Sequence, residues 1–169
     1  MKPKLSFSAL NKQESLLFII LFILLVLWIP VTIDKVSNFA SFKYSILQQP
    51  FPDWLGLILI YSLPIVELII VICLVIEKFR KIGLLISSLL MAVFSGYIGI
   101  GLLGYWEKLP CGCGSVISGM TWKQHFFFNL TFLLISGLGL YLWYKLRHRN
   151  AGREPIEGGS AKRRINSIV

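Results

Sequence analysis

Two thiols one residue apart, Cys111-Gly112-Cys113, sit in the loop Tyr105-Trp106-Glu107-Lys108-Leu109-Pro110-Cys111-Gly112-Cys113-Gly114. Such a pair can close a disulfide, open it again, or share a soft metal ion. A disulfide between residues i and i+2 closes a small ring that is usually strained. Strain raises the reduction potential, so this spacing favours an exchanging bond over a permanent one. Gly112 and Gly114 loosen the backbone for ring closure, and Pro110 stiffens the approach. A structural staple between near neighbours would restrain little chain. Redox exchange is therefore the leading reading, ahead of soft-metal binding and of a structural or idle pair.

Two more residues could take part. Glu67 is the one clear carboxyl group inside an apolar run, one helical turn after Pro64. A charge at such depth is costly, so it is expected to be protonated or paired and counts as a functional candidate. It could carry protons for quinone reduction, or hydrogen-bond a neighbouring helix, with Asn129 and Tyr97 as expected partners. His125 precedes Asn129 by one turn on the same helical face. It could lower the pKa of a nearby Cys, serve as a third metal ligand beside Cys111 and Cys113, or simply sit at the interface. Cys73, within an apolar segment, reads as a small buried hydrophobe.

The elements that must position these residues are membrane helices. Hydrophobic residues make up 56% of the 169-residue chain and charged ones 15%, with a mean hydropathy of +0.73. A spanning helix needs roughly 20 mostly apolar residues. Four segments qualify, at about 15–33, 55–76, 82–104 and 122–145. No A-x-A cleavage site follows Ile29-Pro30, so the first reads as a retained anchor. The net charge of +9 is placed as a topology signal, which argues against nucleic acid. All Lys and Arg except Lys35, Lys43, Lys108 and Lys123 fall on one side of a four-span topology. The positive-inside rule then puts both termini and the 77–81 turn in the cytoplasm. The Cys loop faces outward, in a bacterium into the periplasm, where disulfides persist.

Further features refine this plan. The tryptophans, Trp28, Trp54, Trp106, Trp122 and Trp143, read as interfacial anchors. Residues 34–53 form an amphipathic pattern, with Val36, Phe39, Phe42, Ile46 and Leu47 on one arc. That predicts a helix lying in the outer interface, ended by Pro50-Phe51-Pro52. Ser88, Ala92 and Gly96 recur every four residues, which predicts close packing within the bundle. The chain divides into a four-span membrane domain at 1–146 and a basic, disordered cytoplasmic tail at 147–169.

These residues together resemble the MauE/DoxX group of small four-span redox-associated membrane proteins. The resemblance runs from the first span to about Lys145. It rests on Tyr61-Ser62-Leu63-Pro64-Ile65-Val66-Glu67-Leu68, on Pro110-Cys111-Gly112-Cys113-Gly114, and on Trp122-Lys123-Gln124-His125 with Asn129. It implies a membrane four-helix bundle linked to thiol–disulfide chemistry, with thioredoxin-fold partners and a role in maturing disulfide-containing proteins. Family loops often continue Cys-x-Cys-Phe-Gly, where this chain has Gly114-Ser115-Val116.

The expectation is an all-α, multi-pass protein of a bacterial inner membrane. Cys111 and Cys113 would exchange two electrons with a periplasmic thioredoxin-like or substrate protein, assisted by Glu67 and His125. No bound cofactor is expected; a membrane quinone is the candidate for the other electron partner. The alternatives are a soft-metal binding or transport protein using Cys111, Cys113 and His125, and a non-catalytic membrane subunit that docks a partner.

Overall fold

The computed structural model describes residues 12–50, 52–104 and 121–151. The described chain is helical, without strands, and folds as α1 (Lys12–Ser37), α2 (Phe39–Leu47), α3 (Asp53–Val75), a 3₁₀ turn (Glu77–Phe79), α4 (Arg80–Leu102) and α5 (Trp122–Ala151). Helices α1, α3, α4 and α5 are each long and apolar enough to cross a membrane. The expected four-helix membrane bundle is thus what the chain forms.

The four long helices close a ring. Helix α1 lies against α3 and α5, and α4 lies against α3 and α5. Each turns a narrow stripe inward. On α3 the buried residues are Gly56, Ile60, Leu63, Glu67, Ile70 and Leu74, alternating steps of three and four. That is the seam of a left-handed bundle. Facing it on α4 are Leu84, Ser87, Met91, Ser95 and Ile98. Large apolar side chains on the opposite faces, such as Phe22, Ile65, Leu89 and Leu134, are exposed, as a lipid-facing surface requires.

Local chemistry sets the ends. The turn between α3 and α4 is tight because Gly83 lets the helices touch: a Cβ there would lie 3.0 Å from the Cys73 Cβ and from the Leu74 backbone nitrogen. At the far end of α4, Gly104 takes φ +79°, the left-handed conformation that ends helices at low cost. Around the 3₁₀ turn, Lys81 lies over the rings of Trp143 and Tyr144, and Arg147 over Trp143. This is the cation-and-aromatic rim expected where a bundle meets headgroups.

Four expectations need correction. The first helix does not stop at 33 but continues through Pro30 to Ser37. Proline removes one backbone hydrogen bond, which a neighbour-packed membrane helix tolerates. Lys35 therefore belongs to the helix rather than to a loop. The amphipathic segment is shorter than 34–53: α2 buries Phe42 and Ile46, with Phe39 partly buried, while Val36, Tyr44 and Leu47 are exposed. Trp28 is no interfacial anchor; it is 1% exposed, and its indole Nε1 donates to the Ser87 hydroxyl at 3.0 Å. Finally, Ala92 and Gly96 face outward, and only Ser88 of that stripe meets another helix, its hydroxyl 3.0 Å from that of Ser136.

Candidate functional site

Glu67 is wholly buried on the inward stripe of α3, and its partner is neither Asn129 nor Tyr97. Its Oε1 accepts a hydrogen bond from the Lys35 ammonium of α1. Lys35 is 5% exposed, and its Nζ also lies 5.7 Å from the centre of the Phe42 ring. One ion pair thus ties α1 to α3 beneath α2. The other carboxylate oxygen, Oε2, has no partner among the described residues. Lys35 was legible in principle: it follows Trp28 by seven residues and Leu21 by fourteen, on the same inward stripe of α1.

Tyr97 has a different role from the expected one. Its hydroxyl donates to the Gln49 side-chain oxygen at 2.6 Å, tying α4 to the segment after α2. Gln49 in turn donates through Nε2 to the Ser45 carbonyl at 3.1 Å.

His125 and Asn129 are brought together as their spacing predicts. Both are 3% exposed and lie one turn apart on α5. Their register is fixed by a reciprocal cap. The Thr121 backbone N–H donates to Gln124 Oε1 at 2.9 Å, and the Gln124 N–H donates to Thr121 Oγ1 at 3.3 Å. This capping box is readable as Thr-x-x-Gln, and it sets where α5 begins. The buried Asn129 Nδ2 has no hydrogen-bond partner among the described residues.

Several of these side chains, though not Glu67, converge on one cavity of about 330 Å³. Its polar lining is Lys35, Gln49, Tyr97, His125 and Asn129. Phe94 and Phe128, both half-buried, contribute flat apolar wall. The cavity lies in the half of the bundle covered by α2. There α4 ends and α5 begins, at the two points joined by residues 105–120. Cys111 and Cys113 belong to that segment and lie outside the described residues. Cys73 is a free thiol on α3 beside Gly83. Among the described residues, no three His, Cys, Asp or Glu side chains gather into a metal-binding set.

Such a cavity, mostly apolar with a few convergent polar groups, is the usual form of a small-molecule site. Its lining includes Lys35, whose charge Glu67 neutralises from outside the cavity, and the Asn129 amide with its unmet donor. No curated protein and no solved structure matches the chain. The family model described as methylamine utilisation protein MauE matches residues 13–142, a stretch that takes in all four spanning helices up to Leu142, and the chain accordingly belongs to the MauE family.

Proposed function

We propose that this protein is a membrane thiol–disulfide redox protein of a bacterial inner membrane, acting through Cys111 and Cys113. The observation that carries the reading is the Cys-Gly-Cys spacing on the segment that joins α4 to α5. Family membership supports a membrane role in methylamine utilisation. There, maturation of a disulfide-containing periplasmic protein is the task that would call for such a pair.

The chemistry is exchange. A Cys111 or Cys113 thiolate attacks a disulfide of the partner, a mixed disulfide forms, and the second thiolate displaces the partner's sulfur. Two electrons pass, and the pair ends as its own disulfide; the reverse sequence oxidises a partner dithiol. The cation distribution supports an outward loop and cytoplasmic termini, so the partner is periplasmic, thioredoxin-like or itself the substrate. His125, four residues into α5, supplies a base close to the end of the Cys-bearing segment. Glu67 acts through its ion pair with Lys35, holding α1 and α3 in place.

The test is covalent trapping. With Cys113→Ser, attack by Cys111 stalls at the mixed disulfide, which non-reducing electrophoresis and mass spectrometry identify. A single periplasmic protein attached through Cys111 is the expected result. A pair that stays reduced in the cell and copurifies with stoichiometric soft metal would overturn the exchange reading in favour of a metal site.

A further inference from the structure

We infer that the cavity beneath α2 binds the head ring of a lipid-soluble quinone. Three observations lead there. The cavity holds about 330 Å³, near the lower end of the range of small-molecule sites, which suits one ring with its substituents. The half-buried rings of Phe94 and Phe128 offer flat surface against which a ring can stack. Polar groups stand on two walls: His125 and Asn129 on α5, and Lys35 on α1.

The donors select the chemistry. The Asn129 amide is buried with Nδ2 unpartnered among the described residues. A buried donor left unpaired is costly, so the site favours an occupant that brings an acceptor. The ammonium of Lys35 has three N–H donors, and its bond to Glu67 takes one of them. A para-quinone carries two carbonyl acceptors, which suit donors presented by two different helices, α1 and α5. Charge argues against a fatty-acid carboxylate, because Glu67 already neutralises Lys35 and an added anion would be buried without a counter-ion. Water alone suits the site poorly, since most of its lining is apolar.

The inference deepens the thiol-exchange reading by naming the electron partner on the membrane side. In the direction that oxidises the partner, its dithiol reduces the Cys111–Cys113 disulfide by exchange. The resulting Cys111–Cys113 dithiol and a quinone then convert to a disulfide and a hydroquinone, with two electrons and two protons passing from sulfur to the quinone oxygens. The binding site itself is defined by cavity residues alone.

Isothermal titration of the nanodisc-embedded protein with a benzoquinone carrying one isoprene unit tests this, with empty nanodiscs as reference. Saturable one-to-one binding is expected. Asn129→Leu and His125→Phe should each weaken it about three- to tenfold, the effect of one lost hydrogen bond. Leu59→Phe, which fills the cavity while leaving every donor in place, should weaken it too, and Ile65→Ala on the exposed face of α3 should not. Melting curves show that each variant is folded. Lauric acid should not bind saturably. Equal binding by all variants, equal binding of lauric acid, or no saturable binding would each overturn the inference. The Cys111→Ser, Cys113→Ser double variant should retain wild-type affinity. Quinone binding without thiol exchange would then refute only the exchange reading, and exchange without quinone binding only this one.

Discussion

Lys35 and Glu67 form a buried ion pair that joins α1 to α3, and each is the other's only counter-charge at hydrogen-bond distance among the described residues. The two sit 32 positions apart in the chain. Both lie on inward stripes that are otherwise mostly apolar, with Thr32 beside Lys35 on α1 bonding the Trp28 carbonyl of its own helix. Taking two charges out of water is expensive, and such a pair persists only where the geometry returns most of that cost. It fixes the relative register of two helices whose remaining contacts are non-directional.

The pair predicts an asymmetric mutational response. Lys35→Met leaves the Glu67 carboxylate buried without its partner and should destabilise the protein by about 3–5 kcal/mol, or force the carboxyl to protonate. The double change Lys35→Met, Glu67→Leu removes both charges and should recover most of the loss. Thermal unfolding in lipid nanodiscs measures this. A double variant no more stable than Lys35→Met would show that the pair is not the source of the coupling.

Much of this architecture is legible in the sequence, and two of the exceptions, Lys35 and Trp28, share one cause. The four spans are announced by apolar runs, and the His125–Asn129 face by simple helical spacing. Lys35 is misread because a charge and a nearby proline suggest a helix end. In the folded chain Pro30 removes only one backbone bond and the helix continues, carrying Lys35 inward. Trp28 is misread for a related reason: tryptophan near a span terminus usually anchors, but here the Ser87 hydroxyl on α4 satisfies its N–H inside the bundle. In both cases a polar atom is accommodated by one partner on another helix, and no local pattern names that partner. The Thr121–Gln124 cap, by contrast, is local and could have been read directly.

The Trp28–Ser87 bond gives a second prediction. Ser87→Ala leaves the buried indole N–H without an acceptor, which costs about 1–3 kcal/mol. Trp28→Phe in the same background removes the unpaired donor, so the two changes should combine to less than their sum. A double-mutant cycle on unfolding midpoints reads the coupling. Strict additivity would mean that the bond contributes nothing.

Two glycines on α5 should respond in opposite ways. A Cβ at Gly139 would lie 2.8 Å from Ile20 Cγ2 and 2.9 Å from Leu84 Cδ2, both on buried side chains. The Ile20 branch methyl cannot swing aside, so Gly139→Ala should cost about 1–3 kcal/mol through overpacking. Nothing lies within 4 Å of a Cβ at Gly137, and alanine there gains helix propensity of up to about 1 kcal/mol. Differential melting of the two variants decides it. If Gly137→Ala were the more damaging, the α1–α4–α5 packing described above would be wrong.

The last prediction joins orientation to chemistry. If the cation-poor side faces the periplasm, a membrane-impermeant maleimide added to intact spheroplasts should label Cys111 and Cys113 after mild reduction. Cys73, beside Gly83 at the opposite end of the bundle, should stay unlabelled. A reporter active only in the cytoplasm should give signal when fused after Val169. Ring strain at the i, i+2 spacing favours the dithiol, so the pair should open at a milder glutathione ratio than a structural disulfide does. Either Cys111→Ser or Cys113→Ser should abolish partner oxidation as completely as the double change, because both sulfurs act as one unit. Labelling of the pair only after permeabilisation would reverse the orientation and place the thiols in a reducing compartment, where a lasting disulfide has no support.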